Sequence, residues 1–194
     1  MTKTYKYGFW ILLISTFTFY NFWRITKTSC GKENILCKEI NKKRISSLMK
    51  SNIISRGKIK SIKGKNIVTN ELNECLLKDA TLIILLSEFK CNECQEKELK
   101  RLNILNETIK SDGLNIIGIT TISKMSQVIV QRKILKLDFP IYWVDDITFS
   151  KISVSNEYPQ IIYVKDNIIQ SAFIPVPLDD GFSEIYYEHF LKNL

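Results

Sequence analysis

Residues 80–87 read A-T-L-I-I-L-L-S, a continuous uncharged run of strand length. Such a run suits a strand buried on both faces of a sheet, covered in turn by helices. The next segment predicts one of those helices. Leu99, Leu102, Leu105 and Ile109 fall on a single helical stripe. Glu93, Glu96 and Glu98 set acids near the helix start, where they complement its dipole. S-D-G then predicts the helix end, with Gly113 as a left-handed cap. L-N-I-I-G-I-T-T, residues 114–121, reads as a second buried strand. Ser123 is the expected cap of the following helix, whose apolar positions include Met125, Val128, Ile129 and Leu135. D-F-P-I-Y-W-V leads into a third strand, and the short segment F-S-K-I-S-V follows. Residues 158–173 predict two strands joined at K-D-N as a hairpin. An amphipathic helix capped by Ser183 closes the chain. Strands alternating with helices imply parallel pairing, and the hairpin adds antiparallel strands. The expected class is therefore α/β, a mixed sheet flanked by helices.

The amino-terminal part differs in kind. Residues 7–23 carry no charge and are about the minimum length for a spanning helix, with Trp10, Tyr20 and Trp23 suited to interfacial belts. Lys3 and Lys6 precede the run and favour a cytoplasmic amino end, while Arg24 and Lys27 weaken that signal. An uncleaved N-terminal transmembrane helix is the preferred reading. A cleaved signal peptide is the alternative, with lipoprotein processing at Cys30 a more distant one. The expected organisation is a membrane anchor over residues 1–24, a basic connector over 25–66 and a globular domain over 67–194. The connector predicts a helix around Leu36 to Lys50, then short extended pieces with a turn near Gly64.

The 194 residues carry a net charge of +8, with basic clusters at Lys38, Lys42, Lys43 and Arg44, and again from Arg56 to Lys65. No RNA-binding aromatic motif, zinc finger or helix-turn-helix pattern accompanies them, so a solvated face near lipid headgroups is expected and no nucleic-acid partner. No glycine-rich phosphate loop, serine elbow or H-E-x-x-H occurs either. His189 reads as a surface residue of the last helix, and Tyr186, Tyr187 and Phe190 read as packing.

Five cysteines leave an odd one out. Cys91 and Cys94 form a C-x-x-C; Cys30 and Cys37 are a conceivable second pair, leaving Cys75 as a small buried apolar residue. Zinc requires two further soft ligands at suitable spacing, and none of the remaining cysteines nor His189 provides them. No metal and no cofactor are expected. The redox reading has a mechanism. A cysteine at a helix amino terminus feels unpaired N–H groups and the positive dipole end, both of which stabilise a thiolate. Lys90 adds a cation beside Cys91, while Glu93 opposes it. Cys91 is the expected nucleophile and Cys94, almost one turn on, the resolving thiol.

A buried strand, a C-x-x-C and a helix in this order resemble the thioredoxin-like superfamily, especially its membrane-tethered TlpA/redoxin group of bacterial envelopes, over about Ile67 to Leu194. The resemblance implies a mixed sheet flanked by helices and a cis proline facing the redox pair. Pro159 in E-Y-P-Q-I-I-Y-V matches that proline, and Tyr158 before it is then the residue that offers backbone groups to a substrate peptide. The chain departs from the family pattern in several places. Lys90 stands where a tryptophan is common, and Asn92-Glu93 where Gly-Pro is common. Leu85 falls about where many relatives bury an acid, leaving proton transfer to Glu88 or water. Glu88 also occupies the position where a peroxidase needs Thr or Ser, which disfavours peroxidase activity. The resemblance implies thiol–disulfide exchange on envelope proteins by a single-pass protein of the bacterial inner membrane, its domain facing the periplasm or exterior, with an unknown electron donor. The alternative is a tethered thioredoxin-like module that binds partners or senses redox state without catalysis.

Overall fold

In the computed structural model, the described residues are 36–49, 57–59, 61–77, 79–87, 92–109, 113–177 and 179–192, without the side chains at 75, 76 and 92. The anchor expected at residues 7–23 lies outside them. Among the described residues no helix is long and apolar enough to cross a membrane. The sheet and its covering helices belong to one unit, Arg44–Leu194.

A helix spans residues 36–49 (α1). The strands are Ser61–Asn66 (β1), Leu72–Leu76 (β2), Thr81–Leu86 (β3), Asn115–Thr121 (β4), Ile141–Val144 (β5), Gln160–Lys165 (β6) and Ile168–Phe173 (β7). The helices between and after them are Asn92–Thr108 (α2), Met125–Leu135 (α3), Asp146–Ile152 (α4) and Asp180–Lys192 (α5). One sheet holds all seven strands in the order β2-β1-β5-β4-β3-β6-β7. β3, β4 and β5 run parallel, while β6 and β7 add the expected antiparallel hairpin. Its turn residues Asp166 and Asn167 both have positive φ, the backbone of a tight two-residue hairpin loop.

All six residues of β3 are buried, because β3 lies inside the sheet with a core on either face. Leu82, Ile84 and Leu86 join the cluster that includes Leu99, Leu102, Val128, Phe139 and Phe190. Ile83 and Leu85 join the opposite cluster with Phe149 and Ile152 of α4. Full burial of one such side chain is worth about 1.5–3 kcal/mol, so this short strand ties both layers together. Leu85 is 0% exposed and packs among apolar neighbours, so that position provides no acid.

Several expectations are corrected. Gly64 is not a turn residue but lies inside β1. A Cβ there would sit 3.0 Å from Tyr142 Cβ and 3.2 Å from the Trp143 carbonyl oxygen, so glycine permits close approach of β1 to β5. The turn falls after β1, where Asn66 Oδ1 accepts from the Val68 N–H at 2.8 Å and Asn70 takes a φ of 57°. β1 lies in the stretch read as connector, and β2 was not foreseen. Ser123 does not cap α3; its hydroxyl lies 3.0 Å from Thr121 Oγ1, and Lys124 holds the cap position with no side-chain bond. Ser183 sits inside α5, and Asp179 Oδ1 takes the capping role by accepting from the Phe182 N–H at 3.3 Å. Gly113 has the expected positive φ of 73° but lies beyond the described end of α2 at Thr108.

Arg44 is no solvated connector charge. Its guanidinium forks onto both oxygens of buried Asp179 at 2.5 and 2.7 Å, and Ser47 Oγ donates to the Ile174 carbonyl at 2.7 Å. These bonds fasten the last turns of α1 to the segment leading into α5.

Candidate redox site

Cys94 is the third residue of α2 and is disulfide-bonded. It therefore sits in the first turn, where backbone N–H groups lack intrahelical partners and the helix dipole is positive. Its partner sulfur lies outside the described side chains, as do Cys91, Lys90 and Glu88. Cys37 is exposed and free here, and Cys30, its conceivable partner, lies outside the described residues. The backbone of Cys75 pairs with Ile62 in the β1–β2 ladder; its side chain is outside the described set.

Glu93, read as opposing a thiolate, is 71% exposed and bonds to Lys97 Nζ at 3.0 Å. Lys97 also reaches Asp180 Oδ2 at 2.8 Å, and Arg101 meets the other oxygen of Asp180 at 3.3 Å. Hydrogen bonding to Asp180, then to Glu93, raises the Lys97 pKa above its ordinary value. The same bond to Lys97 lowers the pKa of Asp180. The negative charge of Glu93 is thus paired along the helix surface.

The Tyr158–Pro159 peptide bond is cis, as the resemblance implies. Leu85 pairs with Gln160 in the antiparallel β3–β6 ladder, so Pro159 lies at the end of β3 from which the chain runs toward Cys91. Gln160, fully buried, holds the loop before it. Its Nε2 donates to the carbonyls of Ser155 at 2.6 Å and Glu157 at 2.9 Å, and its Oε1 accepts from the Val154 N–H at 2.8 Å. Ser153 Oγ lies 2.9 Å from the Tyr158 hydroxyl, and the Tyr158 ring packs on Phe149 with centroids 5.6 Å apart. Tyr158 and Ser87 together border a cavity of about 450 Å3 lined largely by hydroxyl groups, among them Thr121, Ser123, Ser150 and Ser153. The strand end before the cysteines and the loop before Pro159 thus face one hollow.

Sequence reasoning missed Glu98. Read as a surface acid complementing the dipole, it is 2% exposed. Arg101 Nη1 donates to its Oε1 at 2.7 Å and the Tyr187 hydroxyl donates to its Oε2 at 2.8 Å. A signal existed: Glu98 lies four residues before Leu102 and seven before Leu105, on the buried stripe itself. Burial, followed by the Glu98 charge, pushes the Tyr187 pKa well above its ordinary value. Burial likewise pushes Tyr186 up to about 12. His189 is exposed, whereas Tyr187 and Phe190 pack in the core as expected.

No family model matches the chain. No curated protein matches it either. Solved structures do. A thiol:disulfide interchange protein of the thioredoxin family from Chlorobium tepidum superposes with a TM-score of 0.53 at 14% identity, covering 67% of this chain and 93% of that one. The thioredoxin domain of a thiol-disulfide oxidoreductase from Bacteroides vulgatus gives 0.53 at 16% identity, covering 69% and 96%. A peroxidoxin, BcpB, from Mycobacterium tuberculosis gives 0.52 at 10% identity, covering 67% and 91%. With its strand order, its cis Tyr158–Pro159 bond and these superpositions, the chain carries the thioredoxin-like fold.

Proposed function

We propose that the protein is a thiol–disulfide oxidoreductase acting on protein thiols and disulfides, with Cys91 as nucleophile and Cys94 as resolving thiol. The observation that carries this reading is a disulfide-bonded Cys94 in the first turn of the helix that follows the central strand. In the reducing direction, the Cys91 thiolate attacks a partner disulfide, forming a mixed disulfide and releasing one partner thiolate. Cys94 then attacks Cys91, releasing the second partner sulfur and closing the Cys91–Cys94 bond. Lys90 beside Cys91 favours its thiolate, and Glu88 is available near it as a carboxylate. Tyr158 and Pro159 shape the groove for the partner peptide, and the hollow between Ser87 and Tyr158 supports this placement. Residues 7–23 anchor the chain in the bacterial inner membrane, with the domain outside the cytoplasm. The uncharged aromatic-flanked run and the preceding Lys3 and Lys6 support that part of the reading.

Insulin reduction by the full chain tests the proposal. Wild type turns over, and Cys91→Ser loses activity by at least about 100-fold, since an unreplaced nucleophile removes the covalent route. Equal turnover in the two proteins contradicts catalysis and leaves the fold as a partner-binding scaffold.

A further inference from the structure

Helix α3 is apolar on two sides. Val128 is fully buried, and Met125, Ile129 and Leu135 pack partly buried against the same core cluster. Another side carries Val130, 55% exposed, and Ile134, 71% exposed. These two are four apart and therefore neighbours on the helix surface. Ile122, in the turn leading into α3, is exposed as well. Single exposed apolar side chains are ordinary on a protein surface. An apolar stripe on a helix, by contrast, ordinarily faces something that covers it. Among the described residues nothing covers Val130 and Ile134.

The charges around them have one sign. Residues 122–137 contain Lys124, Arg132, Lys133 and Lys136 and no acid. None of the ion pairs among the described residues involves these four. Arg132, Lys133 and Lys136 stand at the C-terminal end of α3, where cations complement the helix dipole. Lys124 does not fit that explanation. It holds the N-cap position with no side-chain bond, at the end where the dipole favours an anion. Arg132 Nε is buried without an acceptor. The element thus combines an uncovered apolar stripe with cations at both ends.

We propose that α3 docks by this stripe onto an anionic lipid surface, with Val130 and Ile134 entering the headgroup layer and the surrounding cations meeting lipid phosphates. A basic helix lying in the interface buries its apolar side chains a few Å deep, and attraction to anionic lipids adds to that burial. Charge complementarity selects this occupant. A second copy seated on the same stripe by a two-fold axis would set the cations of one α3 against those of the other. Docking would orient the domain on the bilayer to which residues 7–23 are proposed to tether it. It does not depend on the redox reading.

The test places the full chain in vesicles of phosphatidylcholine alone and of phosphatidylcholine with phosphatidylglycerol in equal parts, and reads amide exchange by mass spectrometry. Residues 122–136 are expected to exchange at least about fivefold more slowly on the anionic vesicles, since one cation near such a surface is worth about that factor. Strand β4 is the internal reference and exchanges equally on both. About 1 M salt, where the screening length falls to about 3 Å, shrinks the difference. Lys133→Glu combined with Ile134→Glu, both at exposed positions, abolishes it while β4 stays protected, which shows that the variant folds. Equal exchange of residues 122–136 on the two vesicles overturns the proposal, and so does a difference that survives in the double variant. Slowing that appears in detergent without lipid and grows with protein concentration also overturns it, because the cover is then a second copy. If the chain does not stay with neutral vesicles, the anchor reading fails, while slowed exchange of residues 122–136 on the anionic ones still supports docking.

Discussion

The two faces of the sheet bury polar groups by different means. On the face covered by α2 and α5, a charged carboxylate, Glu98, is buried and held by Arg101 and Tyr187. On the face covered by α4, the buried keystone is a neutral amide, Gln160, which fixes the loop before Pro159 through backbone groups at Ser155, Glu157 and Val154 and the Ser153 hydroxyl. An amide satisfies several backbone groups with no charge to desolvate, so it suits the task of setting a loop's shape. A buried carboxylate is a poor choice for shape and a good one for holding a proton. The contrast is between a charged group held by two side chains on one face and a neutral amide that shapes a loop on the other.

The comparison is broken most strongly at the apolar layer that both faces need. Leu102→Ala removes a fully buried side chain of the α2 face and is expected to cost about 3–5 kcal/mol in urea unfolding. Gln160→Leu comes next, at about 2–3 kcal/mol, because it leaves the Val154 N–H and two loop carbonyls without their partner. Amide exchange should quicken at residues 153–158 and stay unchanged in α5; equal quickening in both places would erase the division between the faces.

Arg44→Ala is smaller, about 1–2 kcal/mol, because the guanidinium is partly exposed. Its pH dependence is the sharper readout. Hydrogen bonding from Arg44 holds the Asp179 carboxyl below the usual carboxylate range. That stability is present above the unfolded carboxylate pKa and is lost as pH falls through the lower folded value. The variant should therefore lose most at neutral pH and converge with wild type in acid. The smallest effect lies at the alkaline end. Burial pushes the Tyr186 pKa up to about 12, and burial together with the Glu98 charge raises that of Tyr187 well above its ordinary value. Raised tyrosine values keep the folded state protonated longer than the unfolded one, so stability declines once pH passes the unfolded value near 10. Tyr187→Phe should flatten that decline, as read by thermal melts across pH 8 to 11.

The parts of the fold that were legible in the sequence share a cause. β3, β4 and the α2 stripe announce themselves through apolar runs or periodicity, and the β6–β7 hairpin through K-D-N, where Asp166 and Asn167 tolerate positive φ. β2 is an edge strand and β1 lies between it and β5, and with Lys63 and Glu74 facing solvent the two strands offer few apolar residues to read. Ser123 and Ser183 have the chemistry of caps, but the chain places the helix starts one or more residues away from where that chemistry would act. Of the site, the C-x-x-C could be read from order and spacing, whereas the cis bond at Pro159 was implied only by the resemblance to the thioredoxin-like superfamily. Glu98 could not be told from exposed Glu93 and half-buried Glu96 by residue type; only its position on the buried stripe separates it, and its partner Tyr187 is 89 residues away. Gln160 was invisible because its partners, backbone groups and the Ser153 hydroxyl, belong to a loop whose path depends on the fold.

The central claim is that Cys91 and Cys94 exchange between dithiol and disulfide as a pair. Its most direct test equilibrates the full chain in glutathione buffers of graded ratio, traps free thiols by alkylation and maps each cysteine by mass spectrometry. The account predicts that Cys91 and Cys94 lose and gain the label together, along one two-electron curve, while Cys37 stays labelled throughout. A Cys94 disulfide to Cys30 or Cys75, or a Cys91 label that does not follow that of Cys94, would contradict it.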